Sequence, residues 1–416
     1  MRALLAGLLV PLLAAGCGGA GQASGQEGAI RVQVSGEPEE IAVYRALVTA
    51  YHKRHPGEKV ELVAVAKKDD HLARLATSFA AGRPPDVFLI NYREYAQFVA
   101  RGALTPAGPL LTRQGVRMAD YYPQPVAAFT YRGALQCMPQ NISSLVVYYN
   151  RALFDRAGVD HPAAGWSWAE FAATARRLTR GSGTTRTHGL GMEPTLIRAA
   201  PFIWGNGGTI TTGEPPRLTL NTPPAREALR FLLGLRPAMP NRTELAAQDL
   251  ETRFTSGKLA MLLSSRRDTP LFREVAGLDF DVAPLPVQNV PAGILHSDGY
   301  CVAAKSSRQD AAARFIAFAV GRQGQTLTAL GGRTVPSLVS VSKSGAFLDP
   351  GREPESSRVF LDGISAIRRT PVHPRWTEVE EVVEAELTRA FHDGAPLDDV
   401  LARIDDRTGA ILTTGR

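Results

Sequence analysis

The chain has 416 residues, 44% hydrophobic and 21% charged, with 47 Lys and Arg against 40 Asp and Glu for a formal charge of +7. That length exceeds one usual core and points to two lobes, and the hydrophobic share is that of an ordinary globular protein. The basic residues are scattered and mostly arginine, with no Lys/Arg cluster interleaved with aromatics, which argues against a nucleic-acid partner.

The N-terminus reads as an export signal. Met1-Arg2 supplies a positive charge, Ala3 to Leu13 is almost wholly apolar, and Ala14-Ala15-Gly16-Cys17 follows. A short apolar run ending in small residues is a secretory signal, too short to span a bilayer as a mature helix. The Cys directly after the small residues matches bacterial lipoprotein signals, with Cys17 as lipid acceptor, although Ala14 stands where Leu is commonest. Residues 1–16 are therefore expected to be removed, which lowers the charge to +6 because Arg2 is lost. The Gly/Ser/Gln-rich stretch 17–28 reads as a flexible tether. Two other cysteines remain, Cys137 and Cys301. Export permits a disulfide between them, and two free buried thiols fit the sequence equally well.

The folded part is expected from Ala29. Ile30 to Val34 alternates as a strand. Pro38, Glu39 and Glu40 suit a helix start, and Ile41, Tyr44, Leu47, Val48 and Tyr51 share one face of a helix ending near Arg54. Val60 to Val65 is a second strand, and Leu72, Leu75, Ala76 and Phe79 mark a second helix. Asp86 to Ile90 is an apolar run suited to a strand buried on both faces, and Tyr92 to Ala100 is read as helical. This β-α-β-α-β-α order predicts parallel strands covered by helices, with ligands beyond the strands' carboxyl ends. Later elements are strands near 145–149, 259–263, 280–283 and 300–304, helices at 150–157, 168–178, 310–320 and 397–412, and a capping box from Thr377 to Glu380 opening a striped helix.

No nucleophile elbow, P-loop, dinucleotide-binding glycine fingerprint, His-Glu-x-x-His or Cys-x-x-Cys occurs. His52 and His55 lack a clustered third ligand and read as solvated surface. These absences lower the prior for an enzyme, and for a cofactor or metal, without removing a hydrolase built on two distant carboxylates.

Six landmarks, in order, carry a family resemblance: Phe79 through Asp86-Val87; Met138-Pro139 and then Leu145 to Gly158 with its Tyr149-Asn150; Trp166-Ser167-Trp168-Ala169-Glu170-Phe171; Phe254 through Gly257-Lys258 to Met261; Asp298-Gly299-Tyr300 with Lys305-Ser306 and Phe315 to Phe318; and Gly331-Gly332-Arg333 to Pro336. The chain resembles the family 1 extracellular solute-binding proteins, the group that contains maltose-binding protein, from Ile30 to Leu412. The resemblance implies an α/β, two-lobe periplasmic-binding-protein-like fold of type II with a ligand cleft between lobes. It places lobe one at 29–137 plus 300–350 and lobe two at 138–299 plus 351–416, which brings Cys137 and Cys301 near the crossings and makes their disulfide an expectation.

By the same resemblance the protein is expected to be a monomeric, exported subunit, lipid-anchored at the outer face of the cell membrane or else periplasmic, that hands a small-molecule solute to ABC permease subunits, and not an enzyme. The expected solute is a carbohydrate. The amide at Asn91, where sugar binders of the family often carry an aromatic or an acid, leaves a phosphorylated polyol or glycerophosphodiester as the alternative. An exported glycan hydrolase ranks below both. Expected ligand contacts are Glu37, Asn91, Tyr92, Gln140, Asn141, Ser143, Trp204, Ser265, Arg266, Ser297, Asp298, Gly299, Arg333 and Trp376, with Trp204 and Trp376 as the stacking candidates.

Overall fold

The structure, a computed structural model, describes residues 28–413. The signal and the tether up to residue 27, Cys17 among them, lie outside the described residues. The first unit runs β1 (Ile30–Ser35), α1 (Pro38–Arg54), β2 (Val60–Val65), α2 (Lys68–Ala80) and β3 (Val87–Asn91). It matches the period-2 and helical patterns read from the sequence. After β4 (Cys137–Pro139) the chain enters a second region. This holds β5 (Leu145–Asn150), α3 (Trp168–Leu178), β6 (His188–Gly191), α4 (Leu196–Gly205), β7 (Leu259–Ser265) and β8 (Phe280–Ala283). It returns through β9 (Asp298–Ala303), α5 (Gln309–Val320) and α6 (Arg322–Leu330), and ends in α7 (Trp376–His392) and α8 (Leu397–Thr413).

Two sheets result. The first has the order β2-β1-β3-β9 with the short strand Leu104–Thr105 outermost, and β4 also pairs with β9. The first three strands are parallel, as predicted, whereas β9 runs antiparallel to β3. The second has the order β8-β5-β7-β6. Apolar residues fill both faces of each sheet. Phe88, Val32 and Ile316 are buried in one core, and Val147, Met261, Phe171 and Val383 in the other. Each such side chain contributes about 1.5–3 kcal/mol on leaving water.

Three segments cross between the sheets. Residues 140–144 leave the first sheet after β4. Residues 294–297 return to it. Residues 367–370 cross last. The first two are tied together: Ser143 N–H donates to His296 O at 2.8 Å, and His296 N–H donates back at 2.9 Å. The last two pair through Gly293–Ile294 and Ile367–Arg368. Beside them Cys137 and Cys301 are register partners on β4 and β9 and form a disulfide.

Two local expectations fail for the same reason. The helix expected at Tyr92 begins only at Ala96, because residues 92–95 form turns. The Tyr92 hydroxyl instead accepts from Thr370 on the last crossing, 3.3 Å from its N–H and 3.2 Å from its Oγ1. The capping box from Thr377 is also absent. The helix starts at Trp376, so Thr377 lies inside it, and Glu380 turns its carboxylate to Arg93 and to the Trp376 indole. Interlobe partners outcompete local capping at both places.

Candidate functional site

A cavity of about 940 Å³ opens between the two sheets' regions. One wall is the start of α1, with Glu37, Glu40 and Tyr44. Facing it are Asp249, Glu251, Arg267, Asp268, Pro270 and Leu271, and the loop after α6 supplies Gly331, Arg333 and Thr334, with Gln140 beneath. The helix start and the loop after β7 both lie past the ends of sheet strands, where open α/β sheets hold ligands.

Glu40 anchors this wall. Its Oε2 meets Arg333 Nε at 2.8 Å, and its Oε1 accepts from the Tyr44 hydroxyl at 3.0 Å. Burial pushes its pKa up, opposed by Arg333 and reinforced by the negative charge of Asp298. The Tyr44 phenol is held well above its ordinary value by burial and by Glu40. The Gln140 side chain hydrogen-bonds that hydroxyl in turn. Because the Tyr44 proton goes to Glu40, Gln140 Nε2 is the donor, and its Oε1 is left as an acceptor.

Next to Gln140 a hydrogen-bonded network is built on register. Asn91 and Asp298 are partners on β3 and β9, and Gln140 N–H donates to Asp298 O at 2.8 Å. The Asp298 carboxylate accepts from Asn91 Nδ2 at 3.1 Å and from Asn141 Nδ2 at 3.2 Å, while its own N–H donates to Asn141 Oδ1 at 2.7 Å. Ser297 Oγ donates to Asn141 O at 2.6 Å. Asn91 Oδ1 accepts from Arg93 Nε at 3.1 Å, which joins this network to the contact between Arg93 and Glu380. Burial opposes the Arg93 charge, but Glu380 more than compensates and its pKa rises.

Other expected contacts do different work. Arg266 is 1% exposed and has no carboxylate partner: its nitrogens donate to Gly332 O at 2.8 Å, Ser357 Oγ at 3.1 Å and Phe347 O at 3.4 Å, over the rings of Phe347 and Phe360. Burial pulls its pKa down to about 10. It thereby pins Gly332, whose φ of 74° suits glycine, and with it the loop that carries Arg333. Ser265 is buried beside it, its carbonyl accepting from the Tyr148 hydroxyl. Trp204 packs in the second core, and Trp376 is 0% exposed with its indole N–H on Glu380 Oε1 at 2.8 Å. Tyr92 is likewise buried against the last crossing. Gly299 allows close packing, since a Cβ there would meet Phe129 Cζ at 2.7 Å. Ser143 is buried in the first crossing.

The structure thus gathers Glu37, Gln140 and Arg333 around the cavity, while Asn91, Asn141, Ser297 and Asp298 form a hydrogen-bonded network that reaches the lining through the Gln140 main chain. Sequence reasoning missed Glu40, Tyr44, Arg267, Asp268 and Thr334. Glu37, Glu40 and Tyr44 sit at helical spacing behind the first strand, and that stripe was the available signal, although a helix dipole and an apolar core face account for Glu40 and Tyr44 equally well.

Several buried polar atoms here have no hydrogen-bond partner among the described residues: Gln140 Oε1 and Thr334 Oγ1 on the cavity lining, Tyr300 Oη on β9, and Ser143 Oγ and His296 Nε2 at the crossings. Such atoms cost free energy unless something satisfies them. Among the described residues no cluster of three His, Cys, Asp or Glu side chains fits a metal ion.

Comparison with known proteins gives a consistent result. The profile of the family described as bacterial extracellular solute-binding protein matches residues 35–326. A binding protein of Brucella abortus is 23% identical over 421 residues, covering 98% of this chain and 97% of that protein. The structure of an ABC substrate-binding protein from Listeria monocytogenes in complex with cycloalternan superposes with a TM-score of 0.85 at 22% identity, over 92% of this chain and 99% of that one. UgpB from Mycobacterium tuberculosis in complex with glycerophosphocholine superposes at 0.80 with 23% identity, over 93% and 98%. At these identities the structural likeness is one of fold.

Proposed function

The chain belongs to the bacterial extracellular solute-binding proteins, and from that premise we propose that it binds a carbohydrate between its lobes and delivers it to an ABC permease. The carrying observation is the set of unpartnered polar atoms at the cavity and crossings, Gln140 Oε1, Thr334 Oγ1, Ser143 Oγ and His296 Nε2. Sugar hydroxyls both donate and accept, so one ligand type satisfies amide oxygen, hydroxyls and imidazole together.

Fold likeness does not separate the ligand classes, since one solved relative holds cycloalternan and another glycerophosphocholine. The charges favour the sugar. Seven carboxylates line the cavity (Glu37, Glu39, Glu40, Asp249, Glu251, Asp268 and Glu274) against four guanidinium groups. Arg333 is engaged by Glu40, Arg267 by Asp268 and Glu251, and Arg273 by Asp349. A phosphate would have to displace these carboxylates. The reading is of a binder rather than an enzyme, because the family is one of binding proteins. The signal-like start and Cys17 support export and lipid anchoring at the outer face of the cell membrane; the protein is read as a monomer with 29–137 plus 300–350 as the first lobe and 138–299 plus 351–416 as the second.

Thermal-shift measurements with neutral oligosaccharides, glycerol phosphate and glycerophosphocholine test this. A ligand at one hundred times its Kd stabilises the fold by about 2.7 kcal/mol. A neutral oligosaccharide is expected to raise the melting temperature. A rise with phosphate-bearing ligands alone would replace the carbohydrate reading with the alternative, and no rise with either would remove both.

A further inference from the structure

Charge pairing around Asp298 is uneven. Lys68, Arg93 and Arg333 each already have a carboxylate: Lys68 bonds Glu94, Arg93 bonds Glu380 at 3.0 Å, and Arg333 bonds Glu40 at 2.8 Å. Among the described residues the Asp298 carboxylate receives only the neutral amides of Asn91 and Asn141, one on each oxygen. A carboxylate has about four lone-pair sites, so two neutral donors leave both its capacity and its charge unmet. Two further groups lie close by. Tyr300 follows Asp298 by two residues on β9 and shares its face. Its hydroxyl is buried without a partner, and its pKa is raised by burial and then by Glu40 and Asp298. Gln140, 2% exposed and adjacent to Asp298 through its main chain, presents the unpartnered Oε1. Its orientation is fixed by the donor chain from Gln140 through Tyr44 to Glu40.

A single uncompensated carboxylate, an amide oxygen unable to turn and a free phenol make an acceptor-rich corner of negative potential. We propose that this corner receives an ammonium group of the ligand, so that the transported solute is an amino sugar or an oligosaccharide containing one, with its nitrogen between Asp298 and Gln140. The ammonium supplies three donors, and its charge closes the local balance. This rests on the carbohydrate reading of the same cleft. The rim carboxylates of Glu37 and Glu39, both exposed, add long-range attraction for a cation.

The test is calorimetric titration of the purified protein with matched oligosaccharides of equal length: glucosamine oligomers, their N-acetylated forms and neutral glucose oligomers. The amine form is expected to bind about tenfold tighter or more than its acetylated twin, as for a charge-assisted contact. Raising ionic strength should narrow that gap, and Asp298→Asn should erase it. Equal affinity for amine and acetyl forms, or preference for the neutral series, would overturn the ammonium site and leave the carbohydrate reading standing. Binding of glycerophosphocholine but of no sugar would overturn both. Should Asp298→Asn fail to fold, judged by circular dichroism, the matched pair on the unaltered protein decides alone.

Discussion

The lobes meet along two contrasting seams. On the crossing side the contact is dense and mutually satisfied: Arg93 holds Glu380, Trp376 donates to the same carboxylate, and Tyr92 receives Thr370. On the cavity side the lining is open, charged and short of partners, with Gln140 Oε1 and Thr334 Oγ1 buried and unbonded. Stability is thus concentrated on one seam, and unmet hydrogen-bonding capacity on the other. The contrast explains why residues so close in sequence as Asn91, Tyr92 and Arg93 take different tasks. Asn91 bonds Asp298, and the next two residues hold the lobes together.

The largest effect is expected from the satisfied seam. Arg93→Met leaves the Glu380 carboxylate, 18% exposed, with Trp376 alone, and breaking such a pair costs about 3 kcal/mol. Urea unfolding should show that loss, and an unchanged midpoint would erase the distinction between the seams. The open seam should behave in the opposite way. Gln140→Met removes an unpartnered acceptor along with one hydrogen bond to the Tyr44 hydroxyl, so the stability of the unliganded protein should fall by only about 1 kcal/mol while ligand affinity falls about tenfold or more. A large loss of stability there would show that Gln140 is structural.

Acid should weaken the fold through its buried histidines. Burial lowers the pKa of His71, His188 and His296. The unfolded chain therefore takes up protons near pH 6.5 that the folded protein refuses, and stability falls as pH drops through that value, by at most about 1.4 kcal/mol per pH unit for each histidine. Glu40 and Glu251, whose values are raised, work in the reverse sense, costing stability as pH rises through their folded values. Urea midpoints at pH 7.5 and 5.5 should show the net decline. His296→Gln should reduce it, placing part of the effect at the crossings, whereas a flat profile would contradict the burial argument. The smallest change is expected for Trp376→Phe. It keeps an aromatic ring in the core but loses the bond to Glu380, for about 1 kcal/mol. Calorimetry should find ligand affinity unaltered, and a marked fall would restore Trp376 as a ligand platform.

Local pattern carried much of the fold. The strands at Ile30, Val60 and Val87 and the helices at Pro38 and Lys68 follow from period and punctuation alone. Ordered landmarks carried the two-lobe plan. Partner choice across long sequence distances was not legible. Glu380 reads locally as the second half of a capping box, and only the fold reveals that Arg93, 287 residues away, claims it. Arg266 and Arg333 look alike in sequence, yet one is buried under two phenyl rings and the other faces Glu40. Cleft residues such as Glu40 and Tyr44 were hidden because a helix start and an apolar stripe already accounted for them.

Hydrogen–deuterium exchange with and without a saturating oligosaccharide tests the central claim most directly. The account predicts new protection at residues 37–44, 267–274 and 328–334 around the cavity, with little change in already protected α7. Protection confined to another surface, or none despite binding, would contradict a ligand held between the lobes.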